Sequence, residues 1–237
     1  MLLPYFISLA LGLLIAIHAP AQTPDAVQAD SGIYYLKGTK IPASGTFILK
    51  DSTFAGVYSA EGLLKDGKKE GRWQSHWNNG LLYMEGNYRA GKHEGLWKSY
   101  YNNGNLKSNY AYVNNQIVGI AKTFHENGRL ASKGSYQEWY LKAGKWKYYH
   151  LNGTLASQGF YKEGIKYGWW KMYDKNGKLA VEGHYRRGLT HVDATQCRPF
   201  QWDNDEHDGV KDGQWKTYNS DGTLRETVTY RFGEPLK

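Results

Sequence analysis

The side chains best suited to chemistry, His191, Cys197, Trp202, Asp203, Asp205 and His207, fall within Leu189–Asp212. The run Asp203-Asn-Asp205-Glu-His-Asp208-Gly209 has the acids of a calcium loop. His207, however, stands where such a loop needs an oxygen ligand, and the glycine comes one residue late. His191, Cys197 and His207 match no structural zinc spacing. Cys197 is the only cysteine, so it forms no intramolecular disulfide, and the nearby His191 sits six residues away in a loop. A thiol nucleophile needs an activating base in contact. The chain therefore reads as having no catalytic, cofactor-binding or metal-ligating residue. No paired carboxylates recur, and no glycine-rich loop opens a helix. His76, His125 and His150 read as occupants of aromatic positions in a repeat. The stretch 189–212 remains a candidate binding insert, with His191, Trp202, Asp203, Asp205 and His207 as its residues, because loops carried on rigid scaffolds often hold function.

That insert interrupts a strict repetition. Six copies begin at Gly71, Gly95, Gly119, Gly144, Gly168 and Gly213. Counting each glycine as position one, a Trp stands third (Trp73, Trp97, Trp146, Trp170, Trp215, with Ala121 the exception). Lys stands fourth (Lys98, Lys122, Lys147, Lys171, Lys216, with Gln74 in the first copy). An aromatic stands sixth (His76, Tyr100, Phe124, Tyr149, Tyr173, Tyr218) and Leu twelfth (Leu82, Leu106, Leu130, Leu155, Leu179, Leu224). A period in the twenties signals units that bury their apolar faces by stacking on one another. Each copy carries Asn-Gly or Asp-Gly at positions nine and ten, the strongest local signal for a two-residue hairpin turn.

Two-residue turns fix the pairing. Trp73 falls opposite Gly86, Trp146 opposite Gly159 and Trp170 opposite Gly183, a ring over a bare glycine. Trp97 instead meets Tyr110 and Trp215 meets Val228, so those repeats are expected to pack differently. Phe124, Tyr149 and Tyr173 fall opposite Ala131, Ala156 and Ala180. Alternation assigns Trp and Leu to one, buried face. It places Lys98, Tyr100, Lys122, Phe124, Lys147, Tyr149, Lys171, Tyr173, Lys216 and Tyr218 on the other, exposed face. Alternating Lys and aromatic side chains suit an anionic lipid surface, sugars or a protein partner. The fold class is all-β: tandem hairpins, linked through segments such as Gly91–Gly95 and Gly164–Gly168, in one elongated, twisted antiparallel sheet.

The run Glu85-Gly-Asn-Tyr-Arg-Ala-Gly-Lys-His-Glu-Gly-Leu-Trp-Lys-Ser-Tyr100 and copies such as Glu182-Gly-His-Tyr185 resemble the MORN repeat, specifically the variant form common in bacterial proteins. The resemblance covers residues 45–237. It implies a scaffolding or membrane-associated module without catalytic residues, and many bacterial proteins with this variant carry a YwqK-type antitoxin label.

Residues 1–21 contain no charged side chain and combine an apolar core at Leu9–Ile17 with Ala19-Pro20-Ala21. This is a signal-peptide pattern without the usual basic start; the alternative is an uncleaved anchor. Residues 22–44 read as a linker, polar through Asp30, followed by a degenerate N-terminal cap. The third copy has one extra residue within Gln137–Ala143. A net charge of +8 suits anionic partners, and export disfavours nucleic acid among them. The expectation is an exported, non-enzymatic scaffold in the periplasm or cell envelope, binding a protein or an anionic lipid or polysaccharide surface. The alternative is an antitoxin or immunity-type protein acting by direct binding.

Overall fold

A computed structural model describes residues 22–23, 26–50, 57–137, 140–187 and 209–236. Residues 1–21, Trp139 and the insert residues His191, Cys197, Trp202, Asp203, Asp205 and His207 lie outside these. β1 (Val27–Asp30) and β2 (Ile33–Leu36) pair with each other. The remaining described strands form one fifteen-stranded antiparallel sheet in chain order. It opens with β3 (Gly45–Lys50) and β4 (Val57–Lys65). Six hairpins follow: β5 (Lys68–Trp77) with β6 (Leu82–Arg89), β7 (Lys92–Tyr100) with β8 (Leu106–Val113), β9 (Gln116–Phe124) with β10 (Leu130–Gln137), β11 (Leu141–Tyr149) with β12 (Leu155–Lys162), β13 (Ile165–Tyr173) with β14 (Leu179–Arg186), and β15 (Val210–Tyr218) with β16 (Leu224–Arg231). β17 (Glu234–Pro235) ends the sheet.

The Asn-Gly turns differ from expectation. Gly80 N donates to Trp77 O at 2.9 Å and Trp77 N to Leu81 O at 2.7 Å, so the loop has three residues, and within it only Gly80 has positive φ, 81°. This is a type I turn closed by a left-handed glycine. Asn79 serves through its amide instead. Its Oδ1 accepts from Leu81 N at 3.0 Å, and its Nδ2 donates to Asn102 O in the next turn at 2.9 Å. Asn103, Asn127 and Asn152 repeat the bridge to Glu126, Leu151 and Lys175. The two-residue turns are at the other ends of the strands. Ala90-Gly91 (φ 49° and 81°) and Glu163-Gly164 (53° and 81°) both have the left-handed pair that matches strand twist. The segments read as linkers are therefore one turn residue followed by strand. Gln137 pairs with Leu141, leaving residues 138–140 for the longer third-copy connection.

The two departures cancel where the Trp column lies. Tyr149 pairs with Leu155 and Tyr148 with Ser157, leaving Ala156 as a bulge. The extra loop residue and the bulge offset each other, so Trp73↔Gly86, Trp146↔Gly159, Trp170↔Gly183, Trp97↔Tyr110 and Trp215↔Val228 all pair as expected. Near the turn they do not cancel. Phe124, Tyr149 and Tyr173 pair with Leu130, Leu155 and Leu179, not with Ala131, Ala156 and Ala180. The Leu column consequently shares the face of the sixth-position aromatics, which corrects its assignment to the Trp face.

Each Trp covers a glycine of the preceding hairpin rather than its own partner. Between Glu85↔Lys98 and Asn87↔Glu94, one residue of β6, Gly86, faces three of β7, with Gly95 at φ 71°. This bulge carries the Trp97 ring onto Gly86, where a Cβ would overlap the indole. The indole Nε1 donates to Asn87 O at 3.0 Å. Trp73 sits likewise on Gly62, Trp146 on Gly134, Trp170 on Gly159 and Trp215 on Gly183. The five Trp side chains are 1–5% exposed.

The two irregular pairs follow from this arrangement. Tyr110 stands where four of the copies offer a glycine, and the next copy supplies Ala121, 2% exposed, in place of Trp. Val228 likewise has no following Trp to receive. At the other end Phe47, Leu64 and Trp73 pack with Ala26, Val27, Tyr34 and Leu36. Gln22 bridges Phe47 on the edge of β3. Residues expected to be a polar linker thus supply β1 and part of an apolar cap. The last residues assigned to the insert, Val210–Asp212, are strand and pair with β14.

Candidate binding face

The Trp face is closed by its own side chains. The eighteenth residue of every copy is Tyr, and these rings alternate edge-on with the indoles: Tyr161–Trp170 at 5.2 Å and 90°, Tyr185–Trp215 at 4.9 Å and 83°. Lysines two residues before the repeat glycine lie over the rings, with Lys142 Nζ 4.9 Å from the Trp146 centroid and Lys166 Nζ 5.0 Å from that of Trp170. Such contacts stabilise a desolvated ammonium; Lys166 is only 8% exposed. The second copy places His93 there, 4.1 Å from Trp97 and with Nε2 2.9 Å from Tyr88 Oη. Burial, reinforced by Lys69, pushes His93 down to about 4. Sequence reasoning missed this Tyr and Lys arrangement, although its spacing is as regular as that of Trp.

The opposite face has no described second layer. Alternation and pairing place there all ten face residues named from sequence: Lys98, Lys122, Lys147, Lys171 and Lys216 in one row across the strands, and Tyr100, Phe124, Tyr149, Tyr173 and Tyr218 in the next. The fourth-position row is completed by fifteenth-position residues. It runs Gln74, Glu85, Lys98, Asn109, Lys122, Lys133, Lys147, Gln158, Lys171, Glu182, Lys216, Thr227, each directly opposite the next. Near both ends carboxylates fix it. Glu85 accepts from Arg72 at 2.9 Å and from Tyr100 Oη at 2.9 Å; Glu182 meets Lys171 at 3.2 Å and accepts from Tyr218 Oη at 2.7 Å.

The charges reflect this geometry. Burial raises the Glu85 carboxyl, but the Tyr100 and Arg72 hydrogen bonds and the Arg72 and Lys98 charges bring it below its ordinary range. The Tyr218 hydrogen bond leads in lowering Glu182. Burial, then Glu85, pushes Tyr100 up to about 12. Next to this row the face exposes Phe160 (49%), Tyr167 (48%) and Trp169 (57%). These, with Lys133, are face residues that the column reading passed over. Lys133 is visible in sequence as the one Lys among fifteenth-position residues Glu85, Asn109, Gln158, Glu182 and Thr227.

His125 and His150, read as aromatic-position residues, stand seventh in their copies. Their Nε2 atoms lie 2.8 and 2.9 Å from Tyr149 O and Tyr173 O, tying one hairpin to the next. Among the described residues no three His, Cys, Asp or Glu are grouped to hold a metal ion. The insert candidates, including the calcium-like run at 203–208, lie outside the described residues.

A family profile described as MORN repeat variant matches residues 94–114, 117–138, 142–163, 166–187 and 211–231. Each match runs through the second-position and face residues of one copy into its last strand. No curated protein matches the chain.

Proposed function

We infer a binding function from the premise that this chain is a MORN repeat protein of the variant kind, a repeat scaffold. Repeats of this family are generally non-catalytic, and the side chains here are spent on packing one face and displaying the other. The carrying observation is the one-sided arrangement. Each third-position Trp is buried on a neighbouring glycine, while the other face displays regularly spaced Lys, Tyr and Phe. A sheet built this way is a rigid grid that pre-orders its contact groups, which lowers the entropic cost of binding.

In this reading the protein is exported through residues 1–21 and works in the periplasm or envelope as a non-enzymatic scaffold, its Lys and aromatic face holding a protein or an anionic surface component. Two measurements test it. Mass spectrometry of the native protein should find Gln22 at the N-terminus, because Ala19 and Ala21 are the small residues that signal peptidase reads; an intact Met1 overturns the cleavage. Residues 22–237, immobilised, should retain a component of the native envelope fraction. A Lys147→Glu/Lys171→Glu variant should lose it, most clearly at low salt. A toxin as the retained component would make the protein an antitoxin.

A further inference from the structure

We propose that the centre of the exposed face binds an acidic polysaccharide of the uronate type, laid across strands β9 to β14; this rests on the scaffold reading above and names its partner. The first observation is the run Lys122–Lys133–Lys147. Lys122 is directly opposite Lys133, and Lys133 directly opposite Lys147. Like charges in directly opposed positions destabilise a sheet, and at both ends of this row the fold avoids the problem with Glu85 and Glu182. In the third copy it does the reverse. Lys133 occupies the position from which Glu85 and Glu182 accept the Tyr100 and Tyr218 hydroxyls, and from which Gln158 donates to Tyr173 Oη at 3.2 Å. That latch is given up at Lys133 and a cation put in its place. By pairing, the other outward residues of β9 to β11 are Gln116, Val118, Ile120, Phe124, Leu130, Ser135, Gln137, Leu141, Ala143, Lys145 and Tyr149, with no carboxylate among them.

The second observation is independent of charge. Lys145, two residues from Lys147 on the same strand and face, is opposite Phe160, and Phe160 is opposite Tyr167. Trp169 is opposite His184, whose ring is 6.0 Å from Trp169 and 6.3 Å from Tyr167. Phe160, Tyr167 and Trp169 are each about half exposed, an outlay of aromatic surface that the Trp-face core does not use. Contiguous exposed apolar groups beside a polar row mark a binding surface.

Together these make a lane crossing the strands, cations on β9 to β11 and rings on β12 to β14. Neighbouring strands are ~4.8 Å apart. A polyuronate carries one carboxylate per sugar at a repeat of that order, so carboxylates along the chain can meet lysines along the row while the C–H faces of the sugars lie on the rings. Nucleic acid spaces its phosphates more widely along an extended strand, and phosphate recognition favours the bidentate fork of Arg, which this lane lacks.

The test uses residues 22–237 and isothermal titration with oligogalacturonate, its methyl ester, oligothymidylate and vesicles of phosphatidylglycerol. Oligogalacturonate should bind, and the ester more weakly. Lys133→Glu and Trp169→Ala should each weaken binding about tenfold. Neither variant should melt below the parent: Trp169 is on the open face, and Lys133→Glu relieves the like-charge pairs with Lys122 and Lys147. Absence of oligogalacturonate binding, binding that both variants leave unchanged, or tighter binding of oligothymidylate or vesicles overturns the proposal. Retention of an envelope component by the same protein, with oligogalacturonate unbound, overturns the polysaccharide while leaving the scaffold reading standing.

Discussion

Trp146 and Gly134 are on different hairpins, yet each is shaped for the other. The indole lies on the bare Cα of Gly134 and its Nε1 donates to the neighbouring Ser135 carbonyl at 3.1 Å. Gly134→Ala should therefore destabilise the protein by about 1–3 kcal/mol, the cost of overpacking a filled site. Trp146→Ala should cost ~3–5 kcal/mol through the cavity it leaves. Urea denaturation measures both. A Gly134→Ala protein as stable as the parent would show that the ring has room to shift.

Tyr110 and Ala121 form the same joint with the bulk moved to the other side. Ala121→Trp alone should destabilise, because Tyr110 denies the new ring its seat; Tyr110→Gly alone should leave Ala121 uncovered. The double variant recreates the Trp-on-Gly joint and should recover stability, with a coupling of about 1–3 kcal/mol in a double-mutant cycle. Additive losses would mean that the two residues do not share a site.

His93 predicts a pH dependence. Its folded-state value of about 4 lies below the ordinary 6.5. Between those values the unfolded chain binds the proton and the fold does not, so this residue's contribution to stability falls as pH drops from 6.5 towards 4 and is fully present above 6.5. His93→Lys gives the second copy the cation that Lys69, Lys142 and Lys211 place over rings elsewhere. That variant should flatten the slope of melting temperature against pH in this window; an unchanged slope assigns it to other groups.

The insert predicts a clean excision. Joining Gly188 to Val210 by deleting residues 189–209 restores the 24-residue spacing between Gly168 and Gly213. It also recreates the turn and strand entry seen at Glu163-Gly164-Ile165. The deletion should melt within a few degrees of the parent and alter partner choice if the insert is the site. A deletion carried on to Asp212 should cost more, because it removes Lys211, 4.6 Å from the Trp215 centroid, and the pairing with β14.

Hairpin number, copy boundaries and the Trp register were legible because glycine and aromatic spacing records them directly. The face of the Leu column was not. It depends on a bulge at Ala131, Ala156 and Ala180, and a one-residue bulge reverses every side chain beyond it. The partner of each Trp was half legible: addition along one hairpin finds Gly159 opposite Trp146, but not that Trp170 covers it, because the three-to-one bulge at the repeat glycine joins different copies. On the exposed face the ten Lys and aromatic positions were readable as columns. The lysine triad was not, since Lys133 reaches its neighbours only through pairing across two strands.

The direction of the Trp joint has a kinetic consequence. Every strand in the main sheet pairs only with its neighbours in sequence, so its contacts are local for an all-β protein and loop closure is cheap. Each ring also seats on a glycine that comes earlier in the chain. A chain delivered N-terminus first, from a ribosome or through a translocation pore, thus presents each docking floor before the side chain that lands on it. Gly62 on β4, packed near the β1–β2 cap, supplies the first such floor, for Trp73, and the sheet can lengthen one hairpin at a time without waiting for its far end.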